Sequence, residues 1–325
     1  MYFFKKTDKS RLQISILAIL TLVSGACLTI ITNAEADASP DDCTNSRITA
    51  CFSGYATSTV KKNQVPVDAW TVKFTGEAEG GQGASTFNVD MHFTLSHDIP
   101  GTIGGSFKID VLTARYNGSG SNFDLREEWG GTLQKSAESN AKPGFNIHIP
   151  YSSANTQVTK IIVRTTSITT VTAPLVRQVE MDAVLRCDDL WTTPGCVNVA
   201  FTPTLNFSPS KYPYVSKNIR NGFSKGYPST LNRVDGGLKD DNRKVACSDA
   251  RKAALGPKPD FSHTPWKDTS ASCDEYPFAS SRQGGSATVI AWVPSGENSS
   301  QGGTLGGFYA RERVMDGDLY RVTVQ

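Results

Sequence analysis

An all-β, antiparallel N-terminal sandwich followed by a small α+β domain is the fold the sequence predicts, and three observations predict it. Between Trp70 and Leu185 apolar residues alternate with polar ones in run after run, the period of half-buried strands. Glycine clusters separate these runs and no convincing amphipathic helix interrupts them, which favours antiparallel strands over βαβ units. Beyond a proline-punctuated stretch from Pro203 to Pro213 the alternation gives way to mixed helix and strand signals. A chain of 325 residues also exceeds the usual single core. Its net charge of +2 excludes the strongly basic field of a dedicated high-affinity nucleic-acid binder and leaves room for a local basic patch.

The first element is a leader. Lys5, Lys6, Lys9 and Arg11 form a positive n-region, and an apolar run follows from Leu12 to Ile31. Asn33-Ala34-Glu35-Ala36-Asp37-Ala38 then offers small residues at alternate positions, so a signal peptide over 1–38, cleaved after Ala36 or Ala38, is expected. That makes the protein secreted and extracellular, with no stable membrane domain after cleavage. The apolar run approaches the roughly 20 residues that span a bilayer, so anchoring by an uncleaved leader is the alternative. A lipoprotein reading through Cys27 is weaker, because Ser24 stands where a large aliphatic is wanted.

Cleavage removes Cys27 and leaves Cys43, Cys51, Cys187, Cys196, Cys247 and Cys273. An even number of cysteines in an exported chain reads as disulfides. They fall into three local couples, Cys43 with Cys51, Cys187 with Cys196 and Cys247 with Cys273. No Cys-x-x-Cys spacing occurs, so a zinc or redox role has little support.

The sandwich is expected over 39–205. Its strands are read from Trp70, Val72 and Phe74, from Phe87, Val89, Met91, Phe93 and Leu95, and from Phe107, Ile109 and Val111. A β-branched run from Lys160 to Val171 and the alternation of Val179, Met181, Ala183 and Leu185 supply two more. Turns are marked by Glu79-Gly80-Gly81-Gln82-Gly83 and Asn117-Gly118-Ser119-Gly120. Little chemistry is expected here. His92, His97 and His148 read as exposed or hydrogen-bonded strand histidines, and Trp70, Trp129 and Tyr116 as core rather than a sugar-stacking surface.

The second domain is expected over 206–325. Tyr212 to Gly222 reads as a short helix with Pro213 in its first turn, Val215 and Ile219 on one face and Gly222 as the stop. Ala287 to Val293 reads as a buried strand, Gly302 to Arg311 as a glycine-diluted helix and Tyr320 to Val324 as a last strand. Two segments carry chemistry: Cys273-Asp274-Glu275-Tyr276-Pro277-Phe278-Ala279, and Ser295-Gly296-Glu297-Asn298. Carboxylate and amide oxygens brought together are what a divalent metal needs to cut phosphodiesters.

Bland readings stand beside these. Adjacent acids often form a solvated turn, and an asparagine before a helix often caps it. His263 lies in a long loop, Asp316-Gly317-Asp318 reads as a turn between two strands, and Gly302-Gly303 with Gly306-Gly307 lacks the lysine of a phosphate loop. There is no Gly-x-Ser-x-Gly elbow and no His-Glu-x-x-His helix, and four histidines leave few options for a triad. A glycosidase pairing Asp274 or Glu275 with a distant acid stays open.

From Tyr212 to Gln325 the chain resembles the NucA/NucB family of secreted bacterial deoxyribonucleases, at four anchors in the same order. The Tyr-Pro-x-x-x-Lys-x-Ile opening is similar to the start of that domain, and Asn242-Arg243-Lys244 to its basic middle segment. Asp274-Glu275-Tyr276-Pro277-Phe278-Ala279 is similar to the family's Asp-Glu-Trp-Pro-Met-Ala signature, and Glu297-Asn298 falls where the family has Asp-Asn before a glycine-rich helix. The resemblance implies an endonuclease of low sequence specificity that uses Mg²⁺ or Mn²⁺ and acts on DNA, with RNA left open. It implies Asp274 as base or metal ligand, Glu275 as its assistant, and Glu297 and Asn298 at the metal. Arg243, Lys244 and Arg282 are the candidates to hold neighbouring phosphates. Two positions depart from the family: its arginine before the Asp-Glu pair is Cys273 here, and its arginine after Asp-Asn is Ser299. Asp249 to Ser272 is an insertion. The alternative reading is a secreted or surface binding or adhesion protein whose nuclease-like domain does not turn over; an inhibitor or surface partner is left open.

Overall fold

A computed structural model describes residues 18–19, 28–36, 43–116, 123–135, 139–149, 157–171, 173–267 and 270–325. The chain divides into two compact units, 1–80 with 84–187, and 81–83 with 188–325.

The first unit is built from two antiparallel sheets. One runs in the order Ala18–Ile19, Leu28–Ala36, Thr49–Lys62, Val65–Glu79, Thr86–Ile99, Gly144–His148, with Ser139–Ala141 also paired to Thr86–Ile99, and the other includes, in order, Leu175–Asp188, Gln157–Thr169, Gly105–Tyr116, Phe123–Gln134. The registers show why the alternation was informative. Val72 pairs with Leu95 and Phe74 with Phe93 in one sheet, Val111 with Val163 in the other, and all six side chains are buried. The Phe93 and Trp129 rings stack at 5.4 Å and join the two inner faces. Trp70 is buried too, with the His97 ring stacked on it at 3.6 Å and His97 Nε2 held 2.8 Å from Asp68. Trp70, Trp129 and His97 thus have structural surroundings.

Leu28–Ala36 lies between Ala18–Ile19 and Thr49–Lys62, pairing with the latter from Leu28 opposite Lys62 to Ala36 opposite Gly54. It lies inside the stretch read as leader. The basic n-region, most of the apolar run, Cys27 and Ala38 lie outside the described residues. Among the described residues no helix is long and apolar enough to cross a membrane. Cys43 is bonded to Cys51 and Cys247 to Cys273, and Cys187 and Cys196 are each disulfide-bonded.

The second unit begins at Asp188, upstream of the expected boundary at 205/206, because a buried ion pair ties that residue to the far end of the chain. Arg313, 1 % exposed, donates to both carboxylate oxygens of Asp188 and to its carbonyl at 2.7 Å, and to the Thr193 carbonyl at 2.8 Å. Here Leu319–Thr323 is the middle strand of three, parallel to Thr204–Asn206 and antiparallel to Thr230–Asn232, and Ala271–Tyr276 pairs antiparallel with Val289–Pro294. Four helices accompany them among the described residues: α1 (Pro213–Ser224), α2 (Gly236–Ala246), α3 (Asp249–Ala254) and α4 (Ser295–Arg311). The core gathers Phe207, Val215, Ile219, Tyr276, Phe308 and Tyr320. Gly222 lies inside α1 rather than stopping it; a Cβ there would stand 2.5 Å from the Tyr276 ring, so the glycine serves close helix–strand packing.

Candidate active site

Asp274 and Glu275 sit on the strand Ala271–Tyr276, opposite Ala291 and Ile290, and are 3 % and 2 % exposed. They are not a solvated turn. Both line a cavity of about 270 Å³ whose wall includes Arg243 and Lys239 from α2, Arg233, and Gln301 from α4. Asn218 of α1 donates to Asp274 Oδ2 at 2.9 Å and to the Asp274 carbonyl at 3.2 Å. Burial, and after it the neighbouring Glu275 charge, push the Asp274 carboxyl up to about 8, against the opposing pull of Asn218 and Arg243. Burial also raises Glu275, with Arg243 opposing.

Helix α2 delivers the cations. Asp235 caps it by accepting from the Gly236 N–H, and it carries Arg243 and Lys244 in its last turn. The disulfide from Cys247 ties the end of α2 to Cys273, the residue before Asp274, and Asn242 donates to the carbonyls of Ala279 and Ser281 at 2.9 Å each. Thus held, Arg243 Nη2 lies 3.0 Å from Glu275 Oε1. The covalent tether at Cys273 thus holds the helix that carries Arg243 against the strand that carries Glu275. Closing a loop of 26 residues, the tether is expected to contribute about 3 kcal/mol. A Cys247→Ala/Cys273→Ala double variant should show that loss in urea unfolding, together with a lower cleavage rate as Arg243 is freed.

The remaining sequence candidates divide clearly. Lys244 is largely exposed and lies 3.7 Å from Asp241, and Arg282 is exposed; neither lines the cavity. Glu297 and Asn298 are not lining residues either, so of the three expected metal ligands only Asp274 reaches the cavity. The reason is where α4 starts. The helix begins at Ser295 rather than Gly302, so Glu297 and Asn298 fall in its first turn. Glu297 Oε1 accepts the N–H groups of Tyr214 and Val215 at 2.8 Å each, capping α1 from outside. Asn298 is no cap: it donates to Ser272 Oγ at 2.7 Å and to the Cys273 carbonyl at 3.3 Å, bracing the strand that carries Asp274. The cavity face of α4 is instead Gln301, Gly302, Leu305, Gly306 and Tyr309, a helical stripe that the sequence shows once the helix is begun at Ser295. His263 is exposed and outside the cavity, and Asp316-Gly317-Asp318 is a turn in which Gly317 adopts φ +87°.

Two residues that sequence reasoning missed complete the wall. The Arg233 guanidinium lies between the rings of Trp191, at 5.1 Å, and Tyr309, at 4.8 Å, and donates to Asp235 Oδ2 at 2.6 Å and to the Val314 carbonyl. Lys239 adds a further cation from α2.

The charge pattern makes a stability prediction. The folded-state pKa of Asp274 stands above its ordinary value, so the native protein holds a proton that the unfolded chain releases. The corresponding stability is complete below about pH 4 and is lost as pH rises through about 8. Asp274→Asn keeps an oxygen for Asn218 and removes the titration. In chelator it should therefore raise the urea midpoint at pH 8 and leave it unchanged near pH 4.

Residues 221–323 match the family model described as Deoxyribonuclease NucA/NucB. No curated protein matches the chain.

Proposed function

Because the C-terminal third of the chain is a NucA/NucB-type deoxyribonuclease domain, we propose that the protein is a secreted endonuclease that hydrolyses DNA phosphodiester bonds with low sequence specificity and depends on Mg²⁺ or Mn²⁺. The observation that carries this reading is the buried Asp274–Glu275 pair on a cavity rimmed by Arg233, Lys239 and Arg243. A carboxylate poised near neutral pH can take the proton of an attacking water, and Asp274 is the group so poised. The water oxygen bonds to phosphorus as the bond to the leaving oxygen breaks. Glu275 holds Arg243 in place. Cations that grip phosphates without touching base edges position a backbone and read no sequence, which supports low specificity.

The donor set fits a divalent ion. Among the described residues no three histidine, cysteine or acidic side chains gather to hold one alone, but Mg²⁺ is commonly held by one or two carboxylates with water and substrate phosphate completing its shell. Asp274, Glu275 and the amide of Gln301 are hard oxygen donors on one cavity. Burial of two acids against Arg243 leaves Asp274 raised, the mark of a site short of positive charge. A bound ion would polarise the phosphoryl group and steady the leaving oxygen.

The disulfides support an oxidising, extracellular setting, with cleavage of the leader after Ala36 or Ala38 and anchoring by an uncleaved leader as its alternative. One observation favours the second functional reading, a binding or adhesion protein: the family's two arginines are Cys273 and Ser299. Supercoiled plasmid separates the two. An enzyme converts it to the nicked form with Mg²⁺ or Mn²⁺, stops on chelation and resumes when the metal is restored; a binding protein retards the plasmid and never nicks it.

A further inference from the structure

Trp191 stands outside the residues that match the nuclease family, yet it forms part of the catalytic cavity's wall. Its placement is built from both sides. The segment that carries it is clamped at Asp188 and at Thr193 by one buried side chain, Arg313, and a Cβ on Gly195 would stand 2.8 Å from that guanidinium, so the turn is fitted closely to it. The next residue in the chain, Val314, accepts a hydrogen bond from Arg233, whose guanidinium lies over the Trp191 ring at 5.1 Å. Arg313 and Val314 therefore fix the loop bearing the indole and the cation beneath it together. The Tyr309 ring closes the stack at 4.8 Å from Arg233, and its hydroxyl is tied to Ser280 at 3.0 Å and to Tyr320 at 2.9 Å. Trp191 Nε1 is buried without a hydrogen-bond partner among the described residues.

A rigid indole backed by a cation, in a cavity whose wall also carries Asp235, Asp274 and Glu275 and a cationic rim, has the chemistry that receives a planar π system attached to a phosphate. We propose that Trp191 is a nucleobase-stacking subsite, which takes an unpaired base next to the phosphate bound at Asp274. The inference rests on the nuclease reading and adds to it a substrate form. A base inside a duplex has both faces covered by its neighbours, whereas a base in a single strand offers a face to an aromatic side chain. The cavity is therefore matched to single-stranded segments. Trp191 is a positioning residue, not a catalytic one, and it makes the matched domain depend on a segment upstream of itself.

The test uses the full chain carrying Asp274→Asn, so that binding is read without turnover, in Mn²⁺. Its probes are a short labelled oligothymidylate and an abasic strand of the same length and charge. The base-bearing strand is expected to bind roughly 5- to 150-fold more tightly, the range one stacked base commands. Trp191→Ala should remove that preference while leaving the affinity for the abasic strand unchanged, and Trp191→Phe should keep most of it. Should the alanine variant lose its melting transition, Trp191→Leu keeps the apolar volume and removes the π face. Equal binding of the two strands, a preference that survives Trp191→Ala or Trp191→Leu, or binding of neither strand would overturn the proposal. Plasmid nicking by the wild-type chain in the same buffer reports separately on the nuclease itself: nicking without base preference sinks the subsite and spares the enzyme.

Discussion

Asp274→Asn is expected to lower DNA cleavage by roughly 10²–10⁴-fold, the range that a positioned general base supplies, while the chain stays folded and still binds DNA. The substitution is nearly isosteric, so the cavity keeps its shape and Asn218 keeps an acceptor. What disappears is the only carboxylate on the cavity that combines a hydrogen bond to α1 with a pKa near 8. Since burial opposes its charge, the same change should stabilise the metal-free protein at alkaline pH. A loss of activity joined to a gain of stability is the behaviour of a residue kept for chemistry rather than for the fold. Glu275→Gln should behave differently. Its carboxylate anchors Arg243 and accepts the Ala279 N–H at 3.3 Å, so its removal disorders the phosphate grip and raises KM as well as lowering kcat.

Arg313→Ala is expected to destabilise the second unit by about 3–5 kcal/mol, the usual cost of removing one partner of a buried ion pair. Arg313 and Asp188 are both 1 % exposed at the side chain, and the guanidinium also satisfies the Asp188 and Thr193 carbonyls. Its loss takes these hydrogen bonds away from the Asp188 carboxylate and from two backbone acceptors together. Urea unfolding of the full chain should show the transition of this unit moving to lower denaturant. Asp188→Asn, which retains an acceptor for one N–H, should cost less. Cleavage should fall in Arg313→Ala under conditions where the chain is still folded, because Val314 and the Trp191 loop lose their fixed relation to Arg233.

What could be read from the sequence follows from where each residue sits. The sandwich was legible because Val72, Phe74, Phe93 and Leu95 bury one face each and alternate cleanly with polar neighbours. Helix α1 was legible from Pro213 in its first turn and from Val215 and Ile219. Helices α2 and α3 were not, and the cause is physical: α2 buries only Ala246 and α3 buries nothing, so neither has an apolar stripe to show. The start of α4 was hidden by its composition, since Ser295-Gly296-Glu297-Asn298-Ser299-Ser300 carries almost no helix propensity and is held helical by tertiary bonds from Glu297 and Asn298. Glu297 and Asn298 were placed at the metal by the family resemblance, and the misplaced start hid the helix face on which Gln301 reaches the cavity.

At the candidate site, Asp274, Glu275 and Arg243, singled out because they lie within the motifs of the resemblance, come together on one cavity. Trp191 and Arg233 could not. Arg233 acquires its role from rings far away in the chain, and the segment carrying Trp191 is held by bonds from Arg313 to Asp188 and Thr193 that span more than a hundred residues, which local patterns do not encode. The expected boundary at 205/206 and the division of the compact units at Asp188 differ for the same reason: proline punctuation marks a change of local character, while Asp188 is bonded to the far end of the second unit.

The most direct measurement is the nicking rate of supercoiled plasmid by the purified full chain and by Asp274→Asn, at matched concentration in Mn²⁺ and in chelator, with the melting transition of each recorded in the same buffers. Nicking by the wild type in Mn²⁺ alone, reduced at least a hundredfold in a variant that melts no earlier, is the result expected of a carboxylate that performs phosphodiester hydrolysis. Equal rates for the two proteins, or no nicking by either while both retain DNA, would contradict it and leave the C-terminal domain as a binding module.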